Sequence, residues 1–165
     1  MTLHVLEDVI CRVNRLRPDD DGFLSECSSL SRLIVRGRID DRVMMLPDWY
    51  PRDLRALQAD CARELIEGLI IIEALLAVRV GRPASFSNIV HLVRAPYKGR
   101  LKDASAIDKA ALDHLQASIE NLSIPDRLRP LLRNYAARRA DDTMCLVLNT
   151  IGVLLEGGNA WLGRT

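Results

Sequence analysis

Apolar residues recur every three to four positions along most of this chain, and proline, glycine and aspartate break that rhythm at a few sharp points. Leu3, Leu6, Val9, Ile10, Val13 and Leu16 lie on one helical stripe that stops before Pro18 and the "DDDG" of residues 19–22. Phe23, Leu24, Cys27, Leu30, Leu33 and Ile34 predict a second helix, with Gly37 as its stop. Residues 39–46 predict a short third helix, closed by "LPDWYP", whose two prolines limit regular structure. The longest helix is predicted over 52–80, with Pro51 suited to its first turn and Gly81 to its C-terminal cap. Its first half is amphipathic through Leu54, Leu57, Cys61 and Leu65. Its second half, "LIIIEALLAVRV", is apolar nearly all round, the mark of a helix at the centre of a bundle.

Ser85 then caps a short helix over "FSNIVHLV", stopped by Pro96, and "YKGRLKDAS" follows as a basic loop. Ile107, Ala111, Leu112, Leu115, Ile119 and Leu122 define another amphipathic helix. "SIPD" predicts the start of a further one: Ser123 at the cap, Pro125 in the first turn, and Asp126 where negative charge favours a helix N-terminus. Pro130, which lacks a backbone donor, either kinks that helix or restarts it. Asp141 or Asp142 caps a final helix that runs to Glu156 and ends at Gly157 and Gly158. No stretch alternates with a period of two. The pattern therefore predicts an all-α fold, a single-domain helical bundle of six to seven helices around a long central helix at 52–80. Residues 1–50 are expected as an N-terminal helical extension packed on a core formed by 51–165.

Composition sharpens this picture. Apolar residues make up 48% of the chain but aromatics only 4%, so the core must be built from Leu, Ile, Val and Ala, which suits helix-on-helix packing. A net charge of +1 gives no global pull toward nucleic acid or an anionic membrane, and any electrostatic recognition must be local. Cys11, Cys27, Cys61 and Cys145 are far apart, each within an apolar helical pattern where a free thiol acts as a small hydrophobe. That spacing argues for a reducing, cytoplasmic setting and against a disulfide frame or a zinc site. Glu67, Glu73 and Arg79 interrupt the most apolar helix, and the uncharged run "TMCLVLNTIGVLL" has 13 residues, short of the ~20 that span a bilayer. No membrane association, metal or cofactor is expected. His4, His91 and His114 lack the helical spacing of a metal site, and His91 and His114 read as half-exposed or solvent-side residues.

Two features carry chemistry. Glu73 lies inside "IIIEALL", where a carboxylate must be paired, hydrogen-bonded or protonated. It is expected in a structural ion pair with an arginine from the last helices; the alternatives are an active-site carboxylate that positions such an arginine, or one facing an internal ligand pocket. The second feature is "LLRNYAARRADD" at 131–142. If 127–140 is helical, Arg129 and Arg133 share a face at i,i+4, Arg138 and Arg139 extend beyond the next turn, and Tyr135 places a ring nearby. The planar arginine fork matches phosphate with two parallel hydrogen bonds, so such a cluster suits an RNA or nucleotide backbone. Lys98, Arg100 and Lys102 of the basic loop would widen it. The competing reading is a solvated helix face.

The pair Arg133–Asn134, followed by "YAARRADD" and a final apolar helix, resembles the opening of the motif of HEPN domains. These are small all-α bundles of prokaryotic toxin–antitoxin and antiphage defence systems. Their motif runs from an Arg and a polar residue, often Asn, to a His near the start of the last long helix. "ARELIEGLIIIEALLAVRVG" with "FSNIVHLV" behind it is similar to the layout of such bundles, and the resemblance covers about residues 52–162. It implies a homodimer whose arginines contact RNA, since in catalytic members the Arg and His flank the scissile phosphate at the dimer interface. Where the His would fall, this chain has Ala137, Arg138 and Arg139. Arginine holds its proton to above pH ~12 and cannot shuttle it, although it can bind phosphate and stabilise charge. The resemblance thus implies an altered ribonuclease that binds RNA or a partner. Metal-independent cleavage would require His91 or His114 to arrive from elsewhere in the fold. The alternative class is a non-enzymatic adaptor that binds a protein partner through Leu154, Leu155, Trp161 and Leu162.

Overall fold

The computed structural model describes residues 3–39, 52–94 and 108–137. Within them the chain forms α1 (Leu3–Arg15), α2 (Phe23–Ile39), α3 (Arg52–Arg79), α4 (Phe86–Arg94), α5 (Lys109–Asn121) and α6 (Arg129–Ala136), with no strand among the described residues. The all-α bundle expected from the periodicity is the fold observed. The short helix expected at 39–46, the basic loop with Lys98, Arg100 and Lys102, the final helix after Asp142, Cys145, and the apolar residues from Leu154 to Leu162 lie outside the described residues.

Each helix follows from its apolar stripe. Val9, Val13 and Leu16 of the first stripe are buried, and Phe23, Cys27, Leu30 and Ile34 of the second face the same core. Arg12 pins α1 to α2: its Nε and Nη2 donate to the two carboxylate oxygens of Glu26 at 2.7 and 3.0 Å, and Nη2 also donates to Ser29 Oγ. α2 runs through Gly37 to Ile39 rather than ending at the glycine; one Gly inside a helix costs only about 1 kcal/mol, too little to stop it unaided. α3 is central. Every residue from Leu65 to Ala74 is buried, because α2, α4 and α6 all pack against it. Each buried Leu or Ile there contributes about 1.5–3 kcal/mol over an exposed one. Residues of α1 and α2 enter the same continuous core as those of α3 to α6.

The end of α3 is set by Gly81, at φ 69°, a left-handed conformation that glycine adopts without strain. Its N–H donates to Val78 O and that of Arg82 to Ala77 O, which closes the helix with two reversed hydrogen bonds and turns the chain back toward α4. Ser85 stands just before α4, its carbonyl accepting from the N–H groups of Asn88 and Ile89.

The expected helix start at Ser123 is not observed. Leu128 N–H donates to Pro125 O in a turn, and α6 begins at Arg129 with Pro130 in its first turn. Of kink and restart, the restart is realised, because the missing proline donor is harmless only where no carbonyl awaits it. α5 is capped by a residue the sequence reading passed over: Asp108 accepts the Ala111 N–H at 3.2 Å.

The thiols divide by burial. Cys27 is fully buried and Cys11 exposed, so Cys11 departs from the expected core role. Burial first, then the carboxylates of Glu67 and Glu26, push the Cys27 thiol up to about 12. A group with so raised a value is held as the unreactive thiol throughout the neutral range. At pH 8 a maleimide or disulfide reagent is therefore expected to label Cys11 readily and Cys27 only once denaturant opens the core, as read by peptide mass spectrometry. Rapid labelling of Cys27 in the native protein would contradict its burial.

Candidate functional site

The two carboxylates of the central helix are accounted for first. Glu73 is buried and its oxygens take four donors: Arg82 Nη1 at 2.5 Å and Nη2 at 3.0 Å, the Ser85 N–H at 3.0 Å and Asn88 Nδ2 at 3.1 Å. Its arginine thus comes from the turn after α3, not from the last helices as expected, because the Gly81 reversal delivers Arg82 straight back to Glu73. By accepting the Ser85 N–H, the carboxylate also satisfies an orphan donor at the start of α4, where a negative charge is favoured. The late arginine goes to a different carboxylate: Arg127, in the turn before α6, donates to buried Glu67. "LIEGLIIIE" held this signal, since Glu67 sits in the same apolar run as Glu73. Both carboxylates read as structural, and Glu73 lines neither the groove described next nor the smaller one along α2.

That groove lies between α5 and α6, has a volume of about 530 Å³, and is lined by Gln116, Ile119, Glu120, Pro130, Arg133, Asn134 and Ala137. Its geometry is built from below by Arg129. Arg129 Nη1 donates to Ile119 O at 2.6 Å, and Nη2 reaches Ile124 O at 3.2 Å and Leu122 O at 3.5 Å. A guanidinium on these carbonyls satisfies the open end of α5 and sits at the negative pole of its dipole. Arg129 is thus a clamp between the two helices, not a member of an exposed arginine row.

Tyr135 points the other way. It is buried, and its hydroxyl donates to Val93 O at 2.5 Å, supplying a partner for a last-turn carbonyl of α4. The ring expected beside the arginines therefore belongs to the core. It faces inward because residues 132, 135 and 136 form the buried stripe of α6.

Arg133 and Asn134 are exposed neighbours on the groove wall. The Arg133 fork meets Glu120 squarely, with Nε to Oε1 at 2.8 Å and Nη2 to Oε2 at 2.9 Å; both side chains are about half exposed, at 53% and 52%. The hydrogen bond from Arg133 holds the Glu120 carboxyl below the usual carboxylate range, and the same contact holds Arg133 more firmly protonated than usual. At neutral pH this is a fork of donors facing a carboxylate, flanked by the amides of Gln116 and Asn134, each able to donate and accept. Such a set can bind an oxyanion and hydrogen-bond a polar ring; a carboxylate kept this acidic is a poor base for proton transfer.

His91 and His114 are exposed on α4 and α5, and neither lines the groove. Arg138 and Arg139 follow Ala137 in the chain and lie outside the described residues. Gln116 and Glu120 escaped the sequence reading, since nothing local links Glu120 to an arginine thirteen residues on. Among the described residues no cluster of His, Cys, Asp or Glu could hold a metal, and no helix is long and apolar enough to cross a membrane. Compared with family models, curated proteins and solved structures, the chain matches none, so the reading of the groove rests on its own residues.

Proposed function

We propose that the α5–α6 groove binds a phosphate of an RNA strand or nucleotide through Arg133, with Asn134 hydrogen-bonding the adjoining sugar or base, and that Arg138 and Arg139 extend the contact along the backbone. The observation that supports this reading is the exposed Arg133–Asn134 pair on the wall of a groove large enough for a nucleotide unit. It is the pair on which the resemblance to HEPN domains rests. On this reading the protein is an altered HEPN-like bundle, a homodimer of a defence or toxin–antitoxin system, that holds RNA without cutting it, because among the described residues no group lining the groove suits proton transfer.

The test is to incubate the full chain with labelled single-stranded RNA and tRNA in EDTA, scoring binding and cleavage together. Binding is expected to weaken about tenfold or more over a fourfold rise in salt, as several phosphate contacts require. It should be abolished by the double substitution Arg133→Ala, Arg138→Ala, with no cleavage at any salt. Cleavage lost in the double variant would replace the binding reading with a nuclease. No binding by the unaltered chain would return these arginines to solvated surface and leave a protein partner as the better account.

A further inference from the structure

Arg133 presents one edge of its fork, Nε and Nη2, to both oxygens of Glu120. That edge is the one on which two phosphate oxygens would sit, in the same parallel arrangement. Glu120 and a bound phosphate therefore compete for the same donors. Arg129 does not line the groove and is engaged with the carbonyls of Ile119, Leu122 and Ile124, so Arg133 supplies the guanidinium of the described lining. Half exposure of both partners lets the carboxylate swing into water. We infer that Glu120 is a built-in competitor, a carboxylate that occupies the phosphate position of the empty groove and must be displaced for RNA to enter. Resting on the RNA-binding reading, this makes the site self-neutralised when empty and selective for a ligand that offers more than one oxyanion's worth of contact.

The experiment is a fluorescence-anisotropy titration of labelled single-stranded RNA, at about 50 mM salt, with the unaltered chain, Glu120→Gln, Arg133→Ala and the double variant. Glutamine keeps the length and shape of Glu120 but removes its charge. An exposed pair of this kind competes only modestly, so Glu120→Gln is expected to bind about two- to fivefold tighter than the unaltered chain. The gain should vanish in the Arg133→Ala background. Glu120→Asp, too short to reach the fork squarely, should give a smaller gain of the same sign. Far-UV circular dichroism verifies that each variant folds. Equal or weaker binding by Glu120→Gln, while Arg133→Ala still weakens binding, overturns the competitor and leaves the RNA site standing. A gain that survives Arg133→Ala overturns it as well, since general charge then explains the effect. No RNA binding by any variant overturns both.

Discussion

Replacing Arg82 with alanine is expected to remove about 3 kcal/mol of folding stability, more than Glu73→Gln, although Arg82 is the more exposed of the two. The reason is what each change leaves behind. The Glu73 side chain is 2% exposed and that of Arg82 36%. Without Arg82 the carboxylate stays buried, its negative charge answered only by the Ser85 N–H and the Asn88 amide. Stranding a buried ion in this way costs about 3–5 kcal/mol, and the two surviving donors place the effect at the lower end. Glu73→Gln removes the buried charge itself and leaves Arg82 free to hydrate, so about 1–2 kcal/mol is expected, the range for an interrupted hydrogen bond. Urea titrations followed by circular dichroism would rank the two variants. If Glu73→Gln proved the more damaging, the central carboxylate would owe its retention to something other than this four-donor shell.

A second large effect is expected where α6 meets α3. A Cβ placed on Gly68 would stand 2.9 Å from both Cδ atoms of Leu132, a side chain with no exposure that has little room to yield. Leu132→Ala is expected to cost about 3 kcal/mol, as for other leucines cut from full burial. Gly68→Ala alone should cost about 1 kcal/mol net, overpacking of 1–3 kcal/mol offset by the better helix propensity of alanine. In the double variant the clash is gone, and Gly68→Ala should become neutral or mildly stabilising. A double-mutant cycle measured by thermal or urea unfolding reads that change of sign directly. Strict additivity would mean that the two residues do not touch. Leu132 and Arg133 are adjacent, one locked into α3 and one facing the groove. Weakened docking at Leu132 should therefore also blur the register between Arg133 and Glu120.

Among the described residues, the periodicity fixed where helices form with little error. The stripes of α1, α2 and α5, the buried half of α3 and the glycine cap at Gly81 all depend on neighbours three to five residues apart. Spacing and backbone preference, both local, are enough to set them. Misjudged boundaries fell where one local signal admits two outcomes. A proline in a helical stretch fits a kink or a fresh start, and Leu132 docking on Gly68 accompanies the second.

What the tertiary structure alone decided is pairing and direction. "LIEGLIIIE" declares that two carboxylates will need partners, yet not that Arg82 serves Glu73 while Arg127 serves Glu67. The run from Arg129 to Tyr135 looked like a continuous functional face. In the fold three of its four polar members separate: Arg129 onto the end of α5, Arg133 onto Glu120, and Tyr135 into the core against Val93. The physical reason is common to all of them. An arginine or tyrosine reaches several ångströms from its backbone, so its partner is chosen by how helices cross, and those crossings are set by the burial of other residues. Helix positions were therefore legible in the chain, whereas the groove, and the Arg133–Glu120 pair on its wall, came into being only when α5 and α6 packed together.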